Sequence, residues 1–475
     1  MADKGKPSVF TKISYGIGAV AFGVKNNGFD YFLLIFYSQV LGVDAPLVGL
    51  ALLIALIFDA ISDPIVGYLS DNTKSRWGRR HPWMFAAALP AAVAYYFLWS
   101  PPESMTGNDL FPYLVTLSVA IRLLITFYEI PSSALAAELT KDYDERTSLM
   151  SYRMSFGWIS GTVMAIFVLT VLLASTEAYP VGILNKEAYS TYGLVAACVI
   201  GGAILLTTFG TAHLIPDLPK GKVKESKGLS IIFNDFKKAL ANKSFAALLV
   251  ASIVSSVIIG MAFSLNLYMN TFFWGFNTDQ IGALNLSFII AAMISFFMAP
   301  YMSRKFGKKK AVFIYGVLTL LITPVMIGLR VMGVLPENGD PSLFPILFIV
   351  AILDVTMFIG VQTLMYSMVA ELVEHNEVKN NDRTEGIYFS AISFSRKASH
   401  GLGVMAASIV IAVANFPKGA KAEDIDKQAI LDLGISYAVA VVLLWLAVFY
   451  FLKFFKIDRE SHLENLSKLA EREKS

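Results

Sequence analysis

The sequence predicts an all-α membrane protein: twelve transmembrane helices in two six-helix bundles related by a pseudo-twofold axis. Composition is the first reason. Hydrophobic residues make up 56% of the 475 and charged residues 16%, against about 25% charged in a soluble globular chain. Apolar runs of the ~20 residues needed to cross hydrocarbon recur along nearly the whole length. Finally, motifs of the first half return at matching places in the second.

Taken in order, the spans are expected at 13–41, 46–70, 82–100, 110–137, 149–174 and 191–213, then at 244–275, 280–303, 310–333, 343–372, 384–415 and 430–456. Lys and Arg crowd into the alternate segments, above all Lys220 to Lys243 and Lys453 to Lys474. Under the positive-inside rule those segments and both termini face the cytosol. The polar stretch Met1 to Lys12 precedes an apolar segment far longer than a signal h-region, so no cleaved signal is expected and the chain should stay in the cell inner (plasma) membrane. A single cysteine, Cys198, excludes an intramolecular disulfide framework.

The basic stretch divides the spans six and six. Residues 1–213 form the N-terminal bundle, 214–243 a cytosolic basic linker, 244–456 the C-terminal bundle and 457–475 a cytosolic tail. Arg76-Trp77-Gly78-Arg79-Arg80 follows the second span, and Arg304-Lys305-Phe306-Gly307-Lys308 closes the eighth. Ala137-Glu138-Leu139 follows the fourth and Ala370-Glu371-Leu372 the tenth, trailed by Arg146-Thr147 and Arg383-Thr384. Loops that merely anchor to lipid headgroups explain the charge but not these paired motifs. Duplicated units of this kind place a solute site near the midplane, between halves that rock.

Ionisable groups at mid-bilayer cost at least ~3 kcal/mol on insertion scales, so each one calls for a role. Asp59 and Asp63 are four apart in the second span, on one helix face. Ser62 lies between them and Pro64 frees a backbone carbonyl nearby. Such hard oxygens suit Na⁺, or a proton store; a structural pair with a lysine or arginine is the competing reading. In the fourth span Arg122, Thr126 and Glu129 precede Pro131. Arg153 in the fifth can pair with Glu129 or with the two aspartates, and Glu129 either meets the solute or only holds that ion pair. Lys25, Asn26, Asn27 and Asp30 in the first span are candidate cavity residues, with an outer-end position for Asp30 as the alternative. The second half supplies Asp354, Gln362, Arg396, Lys397 and His400. The histidines have no metal-ligand spacing and no P-loop is present, which excludes direct drive by ATP.

These residues identify a resemblance covering essentially the whole chain. Lys12-Ile13-Ser14-Tyr15-Gly16-Ile17-Gly18, Asp59-Ala60-Ile61-Ser62-Asp63-Pro64, Ser75-Arg76-Trp77-Gly78-Arg79-Arg80-His81-Pro82-Trp83, Glu129-Ile130-Pro131, Tyr152-Arg153 and Lys397 resemble the glycoside–pentoside–hexuronide:cation symporters, the melibiose-permease branch of the major facilitator superfamily. The resemblance implies symport of a sugar, glycoside or related polar solute with Na⁺ or H⁺ by alternating access, by a monomer with no cofactor beyond the coupling ion. It implies a cation site of Asp59, Ser62, Asp63 and Thr126, with Na⁺ on the two aspartates if sodium is used. Lys397 and Arg153 would couple that site to a solute held by Glu129, Arg153, Lys25, Asn26 and Gln362. Two departures stand out. Gly23 occupies the place of a first-span aspartate that binds galactosides, and Ser133 and Gln362 replace aromatic residues beside the sugar. A lysolipid cargo carried with Na⁺ is the alternative. A membrane enzyme or a gated channel is disfavoured, and nothing points to nucleic acid.

Overall fold

Proline, glycine and polar caps set the breaks in a chain that is otherwise helical. The computed structural model describes residues 7–140, 143–218, 242–380, 401–419 and 425–455. Every regular element among them is a helix. The first span is segmented into α1 (Val9–Ile17), α2 (Ala19–Asn27), a π-turn (Gly28–Phe32), α3 (Leu33–Ile35) and a second π-turn (Phe36–Val40). Ser8 starts it as an N-cap, its hydroxyl accepting from the Thr11 amide at 3.2 Å.

The continuous spans that follow are α4 (Ala45–Asn72), α5 (His81–Trp99), α6 (Phe111–Leu139), α7 (Tyr143–Phe167) and α8 (Lys186–Ala212). After them come α9 (Lys243–Tyr268), a broken pair α10 (Thr278–Leu284) and α11 (Leu286–Phe306), then α12 (Lys308–Val331) and α13 (Leu343–Asn380). The eleventh span is described over α14 (Gly401–Val413), and α15 (Lys427–Leu452) completes the set of twelve. Among the described residues the expected ends agree to within a few residues except where a helix runs on past its apolar stretch; the start expected at 384 for the eleventh span lies outside them. α13 reaches Asn380 rather than 372, because no glycine or proline interrupts the chain between Leu372 and Asn380. Arg396, Lys397, His400, most of the linker and the tail lie outside the described residues.

The helices form two compact units. The first holds α1–α8, with residues 277–282 and 418–419 grouped beside them; the second holds α9 and α11–α15. Within the first, α4 packs on α6, α5 on α6 and α8, and α1 and α2 on α8. Within the second, α11 packs on α13, α12 on α13 and α15, and α9 on α15. Span for span, these are the same neighbours.

The duplication reaches the backbone. The first span ends with Leu41 N–H donating to Phe36 O, Gly42 at φ +76°, and Val43 N–H donating to Tyr37 O. Its counterpart ends with Trp274 N–H donating to Met269 O, then Gly275 at φ +69°, and Phe276 N–H donating to Asn270 O. Only glycine takes that left-handed turn without strain. Gly42 and Gly275 are 233 residues apart, the same interval as Glu138 and Glu371. Each of those glutamates ties the corresponding end of its unit. Arg79 Nη2 and Arg80 Nε donate to Glu138 at 2.7 and 2.9 Å, and Lys308 Nζ lies 2.8 Å from Glu371.

In the first unit an aromatic core of Phe36, Tyr95, Trp99, Tyr189 and Tyr192 packs at the end of the bundle opposite Glu138. Gly28 lets the first π-turn approach the Tyr95 and Tyr192 hydroxyls, which a Cβ would meet at 2.0 and 2.5 Å. This anchor fixes the register of α2, and with it the depth of Lys25.

Candidate cation and solute site

Along α4, Val48, Leu52, Ala55, Asp59, Val66 and Ser70 are buried on one face, packed against α6. Phe58 and Ile61, by contrast, are 54% and 58% exposed, while Asp59 is 9% exposed. Helical periodicity therefore turns the first aspartate inward, and Asp63, one turn on, meets the same neighbour. The Thr126 hydroxyl on α6 stands 3.0 Å from Asp59 Oδ1 and 3.1 Å from Asp63 Oδ1. A threonine hydroxyl has a single proton, so it donates to one carboxylate at a time. Three hard oxygens, two of them from carboxylates, thus converge on one point.

Arg122, one turn before Thr126, brings positive charge to this group: its Nη1 lies 3.4 Å from Asp59 Oδ2. The sequence allows one of the two aspartates to pair with a lysine or arginine but does not say which. The signal that could have found this pair is the Arg122/Thr126 spacing, which puts both on the face packed against α4. Ser62, also expected among the cation ligands, has its hydroxyl proton engaged within α4 and keeps its oxygen lone pairs. Its hydroxyl donates to the Asp59 backbone carbonyl at 3.1 Å, as serines inside helices do, and so serves its own helix first.

The solute-facing candidates divide. Arg153 on α7 is 3% exposed and, among the described residues, pairs neither with Glu129 nor with the two aspartates. Its guanidinium donates to Ser132 at 2.6 Å and Ser133 at 3.2 Å on α6, and it stacks over Tyr15 and Phe22 at 5.6 and 5.9 Å. The expected ion pair is replaced by neutral hydroxyls, which leaves the half-buried Glu129 without an ion pair among the described residues. Ser133 in turn donates to the Glu129 backbone carbonyl at 2.6 Å. Lys25 is 8% exposed and its ammonium sits over the Phe29 ring at 5.8 Å, with the Arg122 guanidinium 5.7 Å from the same ring. Asn26 is half-buried beside it on α2, and Asp30 is half-buried in the first π-turn. In the second unit Gln362 donates to Ser255 at 2.9 Å, and Thr323 lies 3.5 Å from Asp354.

Gly23 has a packing reason of its own. A Cβ there would stand 2.2 Å from the Gly157 carbonyl oxygen and 2.6 Å from Ser160 Oγ. Small residues let α2 and α7 approach at backbone distance, as in other close transmembrane crossings. An aspartate cannot occupy this position while the helices are so close.

A family model described as MFS/sugar transport protein matches residues 14–459. The chain belongs to that family. It is a membrane transporter of the major facilitator fold, not an enzyme. An uncharacterized symporter of Synechocystis is 26% identical, over 90% of each chain. The isoprimeverose transporter of Lactiplantibacillus pentosus is 24% identical over 86% of this transporter and 82% of the relative. The sodium-dependent lysophosphatidylcholine symporter 1 of Gallus gallus is 23% identical over 98% and 89%. Among solved structures, a bacterial homologue of the human lysosomal transporter Spinster superposes with a TM-score of 0.64 at 14% identity, covering 96% of this transporter and 98% of that chain. That likeness speaks for the fold alone.

Proposed function

We propose that the chain is a secondary symporter of the cell inner membrane that moves a polar, sugar-like solute with one coupling cation, Na⁺ or H⁺, as a monomer with both termini in the cytosol. Asp59, Asp63 and Thr126 hold the cation, and Glu129, Arg153, Lys25 and Asn26 face the cargo. The observation that carries this reading is the convergence of two carboxylates on the one Thr126 hydroxyl, a group of hard oxygens suited to a proton or a cation. Coupling follows from α6 itself. Thr126 touches the cation group, Glu129 lies one turn further, and Ser132 and Ser133 hold Arg153, so filling one end shifts the residues that meet the solute. The mutual gain in affinity is reciprocal by linkage. Gln362 and Lys397 are proposed to contribute to solute binding and coupling from the second half. A sugar-like cargo accords with the isoprimeverose relative, and the lysophosphatidylcholine relative supports the lysolipid alternative.

A thermal-shift panel of glycosides, uronides and lysolipids, run with and without NaCl and across pH, identifies cargo and ion together. For the stabilising solute, Asp63→Asn is expected to abolish cation-driven uptake into proteoliposomes while leaving a folded, monodisperse protein. Concentrative uptake by that variant at the normal rate refutes the site.

A further inference from the structure

The guanidinium of Arg122 is a poor fit for a permanent structural partner. It is 6% exposed, makes one contact to Asp59 at the long distance of 3.4 Å, and its Nε is buried with no hydrogen-bond acceptor. A buried arginine held for stability normally spends its five donors on several short, charge-assisted bonds. Arg153, on α7, forks onto two serines instead. The other charged groups around Arg122 do not claim it either. Lys25 lies across the Phe29 ring and repels it, and Glu129 makes no ion pair with it.

We propose that Arg122 is a tethered competitor of the coupling cation, occupying Asp59 when the site is empty and yielding it when the ion arrives. This rests on the reading of Asp59, Asp63 and Thr126 as the cation group. With Arg122 in place, the guanidinium compensates the charge of Asp59 in the empty carrier. An arriving ion bound at Asp59, Asp63 and Thr126 displaces the guanidinium from Asp59. Arg122 therefore sets how much cation is needed to load the carrier, and it makes loading a switch between two occupants of one carboxylate.

An opposite charge within ~4–6 Å of a carboxylate changes its affinity for a second cation by about 10- to 1,000-fold. Arg122→Gln is therefore expected to lower the half-saturating concentration of the coupling cation at least about tenfold. The measurement is the thermal midpoint of the purified full-length protein, titrated with NaCl in a choline buffer and separately with pH. Arg122→Lys, which keeps a charge on a less branched head, should fall between wild type and glutamine, and it carries the test if the glutamine variant does not fold. Asp63→Asn is the control for the underlying reading. A cation response in wild type that Asp63→Asn removes, with half-saturation unchanged in both Arg122 variants, overturns the competitor role alone. A response that survives Asp63→Asn, or no response in any variant, overturns the cation site and the competitor with it. A weaker response in Arg122→Gln, requiring more cation, also contradicts the proposal, because it makes the guanidinium a helper of ion binding.

Discussion

Thr126→Val isolates the hydroxyl on which the cation group depends. Valine keeps the shape of threonine and places a methyl group where the oxygen now stands, 3.0 and 3.1 Å from the two carboxylates. In the empty carrier the hydroxyl donates its proton to one aspartate; in the loaded carrier it donates and also offers a lone pair to the ion. The donation is common to both states and largely cancels. What the substitution removes is the ion's contact with a polar oxygen, worth about 1.5–3 kcal/mol for a bond to a charged group. At ~1.4 kcal/mol per factor of ten, cation affinity should fall about 10- to 150-fold. The assay is counterflow of the identified solute in proteoliposomes as a function of cation concentration. Thr126→Ser, which restores the oxygen, should recover most of the loss. A folded Thr126→Val protein with wild-type cation dependence would refute the convergence of oxygens as the binding principle.

Other expectations follow from single contacts. Gly23→Ala drives a methyl to 2.2 Å from the Gly157 carbonyl; overpacking of this kind costs ~1–3 kcal/mol or more, so the thermal midpoint in detergent should drop, and an unchanged midpoint would mean that α2 and α7 do not cross at backbone contact. Glu138→Gln leaves Arg79 without its carboxylate and Arg80 with only the exposed Asp71, whereas Glu371→Gln strands Lys308 alone. Breaking a buried pair such as Glu138–Arg80 costs ~3–5 kcal/mol and the pair with the half-exposed Lys308 should cost less, so both should destabilise, the first more than the second in a side-by-side melt. Arg153→Lys cannot span Ser132 and Ser133 with one ammonium; solute affinity should weaken while cation half-saturation changes little, a split read from paired titrations.

The fold is legible in the sequence because a bilayer leaves few alternatives. Long apolar runs, basic loops and the paired Ala-Glu-Leu segments point to twelve spans and a duplicated unit, and the turns at Gly42 and Gly275 carry the same repeat into the backbone. The i,i+4 spacing of Asp59 and Asp63 also identifies the right face, since one helix fixes it. What escapes sequence reasoning is every choice between partners on different helices. Spacing along α6 puts Arg122 and Glu129 on one face two turns apart, but only the α4–α6 packing brings Asp59 to Arg122. An acid is the natural expectation for Arg153, yet two adjacent serines reach it first. Position and resemblance make Ser62 a candidate ligand and do not reveal that its hydroxyl proton turns back to the Asp59 carbonyl. Gly23 reads as a lost aspartate, whereas in the folded protein it is the point where two backbones touch.

Equilibrium binding of the coupling ion to the purified protein tests the central claim most directly. Radiolabelled Na⁺, or proton uptake from a weakly buffered solution if H⁺ is the ion, should saturate at a single cation per chain in wild type and vanish in the Asp59→Asn, Asp63→Asn double variant. Undiminished binding by that folded double variant would place the coupling ion elsewhere in the molecule.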